Sequence, residues 1–406
     1  MTEPNCLSPG GLDRVHEVLS GFVDRGVVPG LVAVIGRGDE VHVDAVGTMA
    51  LDDDRPVRAD TIFRVSSMTK PVTAVATLLL VEDGVLGLDH PIDTLLPELA
   101  ERRVLRRPDG PLDDTVPADR PITVHDLLTF TFGHGMVLSE PDSTPYQRAV
   151  TALDLGGPPN PDGYPAPDPW LRGVGTLPLV HQPGERWLYN SGSEVLGVLI
   201  ARASGRPFDE FLQDRIFEPL GMVDTGFFVP ADRIDRLTTG YLTDPVTGGL
   251  EVHDQPATGQ WSVPPAFPSG ASGLVSTAGD FTAFARMLLR GGSHDGVSLL
   301  SPEAVERMTT DQLMPQQKAG ASLADDYFAT HGWGYGVSML THPNDEPISV
   351  GTYGWDGGLG TAWVNDPAED LILLLLTQAS WTSPEPPEIV GAFRTAAYQS
   401  LGVLDT

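Results

Sequence analysis

Ser67 and Lys70 stand three residues apart in the stretch Phe63-Arg64-Val65-Ser66-Ser67-Met68-Thr69-Lys70-Pro71. A serine hydroxyl becomes a nucleophile when a neighbouring base takes its proton, and a desolvated amine can be that base. On a helix beginning near Ser67, this spacing puts both groups on one face, about one turn apart. The chain has 25 Lys plus Arg, yet only Lys70 and Lys318 are lysine. With 22 serines in 406 residues, chance supplies roughly 0.1 Ser-x-x-Lys matches. Arginine cannot be deprotonated near neutral pH, so a chain that otherwise relies on it has a lysine where a base would be needed. The competing reading is a lysine at a helix start that snorkels to water.

The elements around this pair follow from periodicity. Val72 to Val81 is apolar nearly all round, which predicts a helix buried in the middle of a domain. Pro71 suits its first turn, and Glu82-Asp83-Gly84 supplies a polar end with a glycine cap. Leu12 to Arg25 has helical spacing, with Val15, Val18, Leu19 and Phe22 on one side. Leu31–Gly36 and Val41–Val46 read as strands around a turn at Arg37-Gly38-Asp39. Helical signals recur at Asp89–Leu99, Thr123–Leu128, Glu194–Ala203, Phe208–Leu220, Asp280–Leu289 and Val390–Leu401. Gly332–Leu340, Ile348–Tyr353, Leu359–Asn365 and Leu371–Gln378 read as antiparallel strands. Arg107–Arg120 and Pro141–Pro169 are dense in Pro, Gly and Asp and read as loops, while Pro268–Thr277 is small and flexible. The expected fold class is α+β, an antiparallel sheet flanked by helices with an inserted, mostly helical domain. Residues 1–87 and 268–406 would form the sheet domain, and 88–267 the helical, loop-rich one.

Hydrophobic residues at 41% and charged residues at 20% describe a globular chain, and a net charge of -30 argues against nucleic-acid or anionic-membrane partners. Cys6 is the one cysteine, so no intrachain disulfide framework is expected. The opening Met-Thr-Glu-Pro-Asn-Cys lacks signal-peptide regions, and Leu371–Leu376 is far too short to span a bilayer, so the expected location is cytoplasmic. No His-Glu-x-x-His, Gly-x-Ser-x-Gly or phosphate-loop pattern occurs, so neither metal nor cofactor is expected. His125 and His134 read as structural or rim residues.

Two further stretches complete the constellation. Gln182-Pro183-Gly184-Glu185-Arg186-Trp187-Leu188-Tyr189-Asn190-Ser191 carries a Pro-Gly turn feeding a short element that ends on Tyr189. Tyr353-Gly354-Trp355-Asp356-Gly357-Gly358-Leu359-Gly360-Thr361 is a glycine-rich turn between strands, where a backbone can approach another group closely.

In this order the three stretches resemble the serine β-lactamase-like superfamily of the class C and penicillin-binding-protein type, and most closely its family VIII carboxylesterases. The resemblance runs from the N-terminal strands to Gln378. It is supported by Ile122-Thr123-Val124-His125-Asp126-Leu127-Leu128-Thr129, Phe217-Glu218-Pro219-Leu220-Gly221-Met222 and Gly273-Leu274-Val275-Ser276-Thr277-Ala278. It implies a β-lactamase/transpeptidase-like fold in which Ser67 attacks a carbonyl to give an acyl-enzyme. Lys70 and Tyr189 would share the base role, and the backbone N–H groups of Ser67 and Gly358 would form the oxyanion hole. Reference pKa values of ~10 are too high for a base at neutral pH. Burial lowers a lysine and a neighbouring ammonium lowers a tyrosine, so each could poise the other; which one takes the proton stays open.

The chain departs from the family's pattern at two places. Asn190 follows Tyr189 directly, and Ser191 takes the place where the lactamase branch usually carries asparagine. Trp355 stands where lactamases and peptidases carry Lys or His, a cation that helps hold a substrate carboxylate. A neutral indole with Asp356 beside it favours a neutral ester. Trp355, Asp356, Gly357 and Ser191 are therefore the expected substrate-binding group. The expected function is a metal-free serine hydrolase cleaving small neutral esters. Alternatives are a β-lactamase or D-amino-acid peptidase or amidase, an acyltransferase using the same acyl-serine, or an inactive binding module. The partner would be a small ester or amide; the sequence does not reveal the oligomeric state.

Overall fold

The computed structural model describes residues 7–136, 142–155, 159–320 and 327–401. Cys6, Pro141 and Pro158 lie outside the described residues. Among the described residues, eight antiparallel strands form the main sheet: β1 Gly30–Arg37, β2 Glu40–Ala50, β3 Asp53–Pro56, β4 His331–Trp333, β5 Ser338–Leu340, β6 Tyr353–Gly357, β7 Thr361–Asp366 and β8 Leu371–Thr377. Their order is β4-β5-β6-β7-β8-β1-β2-β3, so the first and last parts of the chain meet where β1 pairs with β8, Val34 opposite Leu374. Both strands are buried along their whole length because both faces are covered.

One face carries α1 (Pro9–Asp24), through Val15, Leu19 and Phe22, against Leu31, Ala33 and Ile35. The C-terminal helix Glu388–Ser400 lies on the same face with Ile389, Val390 and Phe393. The opposite face packs Val32, Val34 and Leu374 against the helix Ala278–Leu289, in the same apolar cluster as α2 (Thr69–Glu82). Every residue of α2 from Thr69 to Leu80 is buried, as its apolar sequence demands. The helix ends in a Schellman turn: Val85 N–H reaches Leu80 O at 2.9 Å, Gly84 N–H reaches Val81 O at 3.0 Å, and Gly84 has φ +72°.

Between residues 88 and 267, short helices alternate with the hairpins Arg103–Leu105/Thr115–Pro117 and Gly240–Thr243/Leu250–Asp254. The longest helix there is α3 (Ser191–Ser204), whose Val195, Leu196 and Leu199 share one apolar cluster with α2. No described helix is long and apolar enough to cross a membrane.

Several expected elements differ. Asp89–Leu99 is not a helix but a run of turns with a bridge at Pro91 and one 3-10 turn at Pro97–Leu99, because Pro91 and Pro97 push the residues before them out of helical geometry. Gly332–Leu340 is two strands broken by a turn with Gly336 at φ +70°, and Ile348–Tyr353 turns at Gly351, φ +95°, so β6 starts only at Tyr353. The stretch expected as the loop Pro141–Pro169 contains the helix Pro145–Ala152. Its signal was legible: Thr144 and Gln147 form a capping box, with proline at the first turn.

Candidate active site

Ser67 lies in a 3-10 turn, Ser66–Met68, that feeds directly into α2. Ser66 has φ +47°, uncommon for a residue with a side chain. Thr69 Oγ1 donates to Ser66 O at 2.7 Å, and Val65 N–H donates to Leu274 O at 3.0 Å, so both sides of the turn are held. One turn on, Lys70 is 0% exposed, and its Nζ donates to Ser67 Oγ at 3.0 Å and to Ala271 O at 2.8 Å. The ammonium does not snorkel to water.

Tyr189 reaches the pair from the other side. Leu188 N–H donates to Phe130 O at 2.8 Å and Met136 N–H to Tyr189 O at 2.9 Å, fixing the approach. Asn190 then turns the chain at φ +82° into α3. The Tyr189 ring stacks on Trp187 at 5.6 Å, and Lys70 Nζ sits 4.5 Å from its centroid. Its hydroxyl is hydrogen-bonded to the Ser67 side chain and accepts from Trp355 Nε1 at 2.8 Å.

Burial drives the titration of both candidate bases, in opposite directions. It pushes Lys70 down to about 7, opposed by the charge of Glu194. It holds Tyr189 above its usual value, against the hydrogen bonds from Ser67 and Trp355. The expected mutual poising is thus corrected. Lysine is lowered, but tyrosine is not, because the cost of a buried phenolate outweighs what its neighbours return.

Glu194, on α3, escaped the sequence reading. It is buried, accepts from Ser269 Oγ at 2.7 Å and from Ala271 N–H at 3.4 Å, and so grips the turn whose Ala271 carbonyl receives Lys70. Burial pushes its carboxyl up to about 7, with Lys70 pulling the other way. The two groups titrate as a pair. The available signal was a carboxylate at the head of the apolar run Val195–Ile200, but in a first helical turn that also reads as a helix-dipole partner.

β6 closes the site. A Cβ on Gly357 would come within 2.3 Å of Val65 O, so only glycine lets the strand pass this close to the Ser67 turn. Gly358 follows, with open space at its Cβ position, and lines with Ser67 a cavity of about 510 Å³. Trp355 and Asp356 also line it, whereas Ser191 and Gly357 are not among its lining residues. Ser191 is buried at the head of α3, with its N–H 3.2 Å from Tyr189 O. The negative charge that Asp356 adds beside Trp355 is answered by a cation. Asp356 Oδ1 is 3.5 Å from Arg394 Nη2, and burial raises its carboxyl to about 6, against the pull of Arg394. Arg394 was not legible as part of this region. The arrangement places a hydroxyl, a lowered amine and a protonated phenol around one open point, which suits proton transfer from the hydroxyl and to a departing group.

Comparisons with known proteins bear on the family and the fold. A family profile described as Beta-lactamase matches residues 15–391. Protein Rv1367c of Mycobacterium tuberculosis is 40% identical over 376 residues, 90% of each chain. Esterase EstB of Burkholderia gladioli is 31% identical over 415 residues, covering 95% of this chain and 94% of its own. The solved structure of EstCE1, described as a hydrolase with promiscuous acyltransferase activity, has a TM-score of 0.79 at 25% identity, covering 96% of this chain and 98% of that one.

Proposed function

Because the chain belongs to the β-lactamase family and is one of its serine hydrolases, we propose that it cleaves neutral carboxylic esters through an acyl-serine at Ser67. The observation that carries this is Lys70 Nζ, kept from water, 3.0 Å from Ser67 Oγ. Neutral Lys70 takes the hydroxyl proton as Ser67 Oγ bonds to the carbonyl carbon. The carbonyl electrons move onto oxygen, facing the N–H groups of Ser67 and Gly358. When the tetrahedral species collapses, the ester C–O bond breaks and the alkoxide leaves with a proton passed from Lys70 by way of Tyr189. Water then repeats the sequence on the acyl-serine and releases the acid. Glu194 acts through Lys70: it holds the Ala271 carbonyl in place and shares the buried charge.

Trp355 favours the ester over a β-lactam or a peptide with a free carboxylate. Its one donor is already given to Tyr189, so it offers a substrate anion neither charge nor a spare N–H. Acyl transfer is the second reading, favoured by the likeness to EstCE1; an alcohol would replace water at the acyl-serine. Rates on p-nitrophenyl acetate and nitrocefin, with fluorophosphonate labelling of wild type, Ser67→Ala and Ser66→Ala, test the proposal. Ester turnover with labelling lost only in Ser67→Ala is expected. Efficient nitrocefin turnover without ester activity would replace it with the lactamase reading. Added alcohols that yield new esters would support transfer.

A further inference from the structure

The cavity does not end on the face of the sheet that carries Ser67. Successive residues of a strand point to opposite faces, and β6 shows this at its edge. Trp355 turns to Tyr189, whereas Asp356 turns to Arg394 on the C-terminal helix. Among the described residues, β5 pairs with β6 only at Tyr353 and Gly354. Among the described residues, the edge from Trp355 to Gly357 therefore has no strand partner on that side, and the cavity wraps around it. Beyond the edge the lining continues with Ile348, Val364 and Trp381, which pack with the cluster of α1 and the C-terminal helix and not with the aromatic group around Tyr189. Arg394 also lines this part, bonded to Glu346 at 2.7 Å.

The chemistry at Ser67 decides which part of a substrate goes there. A tetrahedral centre has four substituents. Two are the serine oxygen and the oxyanion, and the departing alkoxide must face its proton source at Lys70 and Tyr189. The acyl chain takes the remaining direction, past Gly358 and over the edge of β6. We propose that this far compartment is an acyl-chain site, and that Ile348, Val364 and Trp381 make the enzyme selective for medium-chain, uncharged acyl groups over acetyl. The inference rests on the ester-hydrolase reading. Apolar walls suit hydrocarbon, and each methylene buried there favours the longer chain. Arg394 does not make it a carboxylate site, because Glu346 and Asp356 already answer its charge.

Two ester series on the full chain test this. With p-nitrophenol as the constant leaving group, kcat/KM should rise about ten-fold or more from acetate to octanoate. With acetyl constant and the alcohol lengthened from ethyl to octyl, it should stay within about three-fold. Ile348→Trp, which fills the compartment, should lower the octanoate-to-acetate ratio about ten-fold, and Trp381→Ala, at the half-buried rim, should lower it by removing a wall. An unchanged ratio in both variants, or length dependence in the alcohol series instead, overturns the proposal while leaving ester hydrolysis at Ser67 standing. A wild-type protein that hydrolyses no ester sinks both.

Discussion

Trp355 Nε1 donates to Tyr189 Oη at 2.8 Å, across 166 residues of sequence. The indole is thus a positioning group for the phenol as well as a wall of the cavity. It fixes the direction of a hydroxyl that is also hydrogen-bonded to the Ser67 side chain. In Trp355→Phe the ring remains and the donor goes. We expect kcat on p-nitrophenyl acetate to fall about 2- to 10-fold, the worth of one hydrogen bond, with KM little changed. A change confined to KM would reduce Trp355 to a wall.

Lys70→Arg keeps the charge and removes the base. A loss of about 10²- to 10⁴-fold in kcat is expected, measured with the same ester. Lys70→Met removes the base too, but it fills the space without burying an amine, and Glu194 keeps its bonds to Ser269 and Ala271. Its melting temperature should nevertheless fall below that of the wild type, because the Ala271 carbonyl loses its donor and Glu194 stays buried without its cationic neighbour. Retained activity in either variant would show that Ser67 loses its proton to another group.

The pH profile follows from the direction of the Lys70 shift. The neutral amine is the active form and burial brings its pKa down to about 7, so kcat/KM should rise with pH through that region and fall below it. Glu194 pulls Lys70 upward and Tyr189 is held protonated, so Glu194 is the charged group to vary. In Glu194→Gln the acid limb should move to lower pH. A limb that stays in place would assign it to a group outside this pair.

Gly357 and Gly358 should respond differently to alanine. A Cβ at 357 meets Val65 O at 2.3 Å and Thr361 Oγ1 at 2.2 Å, and the first cannot retreat without moving the Ser67 turn. We expect Gly357→Ala to cost about 1–3 kcal/mol of stability and to lower kcat. At 358 nothing lies within 4 Å, so Gly358→Ala should melt close to the wild type. Thermal melts of both decide whether this contact holds the strand to the turn.

The helices and central strands were legible where one short stretch contains its own pattern. The apolar run of α2 and the strands around Val34 and Leu374 are of this kind. Asp89–Leu99 combines helical spacing with two prolines that forbid the helix, and around Pro145–Ala152 the density of proline masks a capping box.

The closeness of Ser67 and Lys70 was determined by the sequence itself, since three residues of separation at a helix start leave the two side chains little choice. Tyr189 and Gly358 could be named only through resemblance to a family. What the tertiary structure alone decided is the rest of the electrostatics. Lys70 rests on Ala271 across 201 residues, Glu194 grips that same turn, and Arg394 answers Asp356 across 38. Each depends on which segments enclose a common volume and how completely they exclude water from it. A pKa records that exclusion, and no local pattern of residues encodes it.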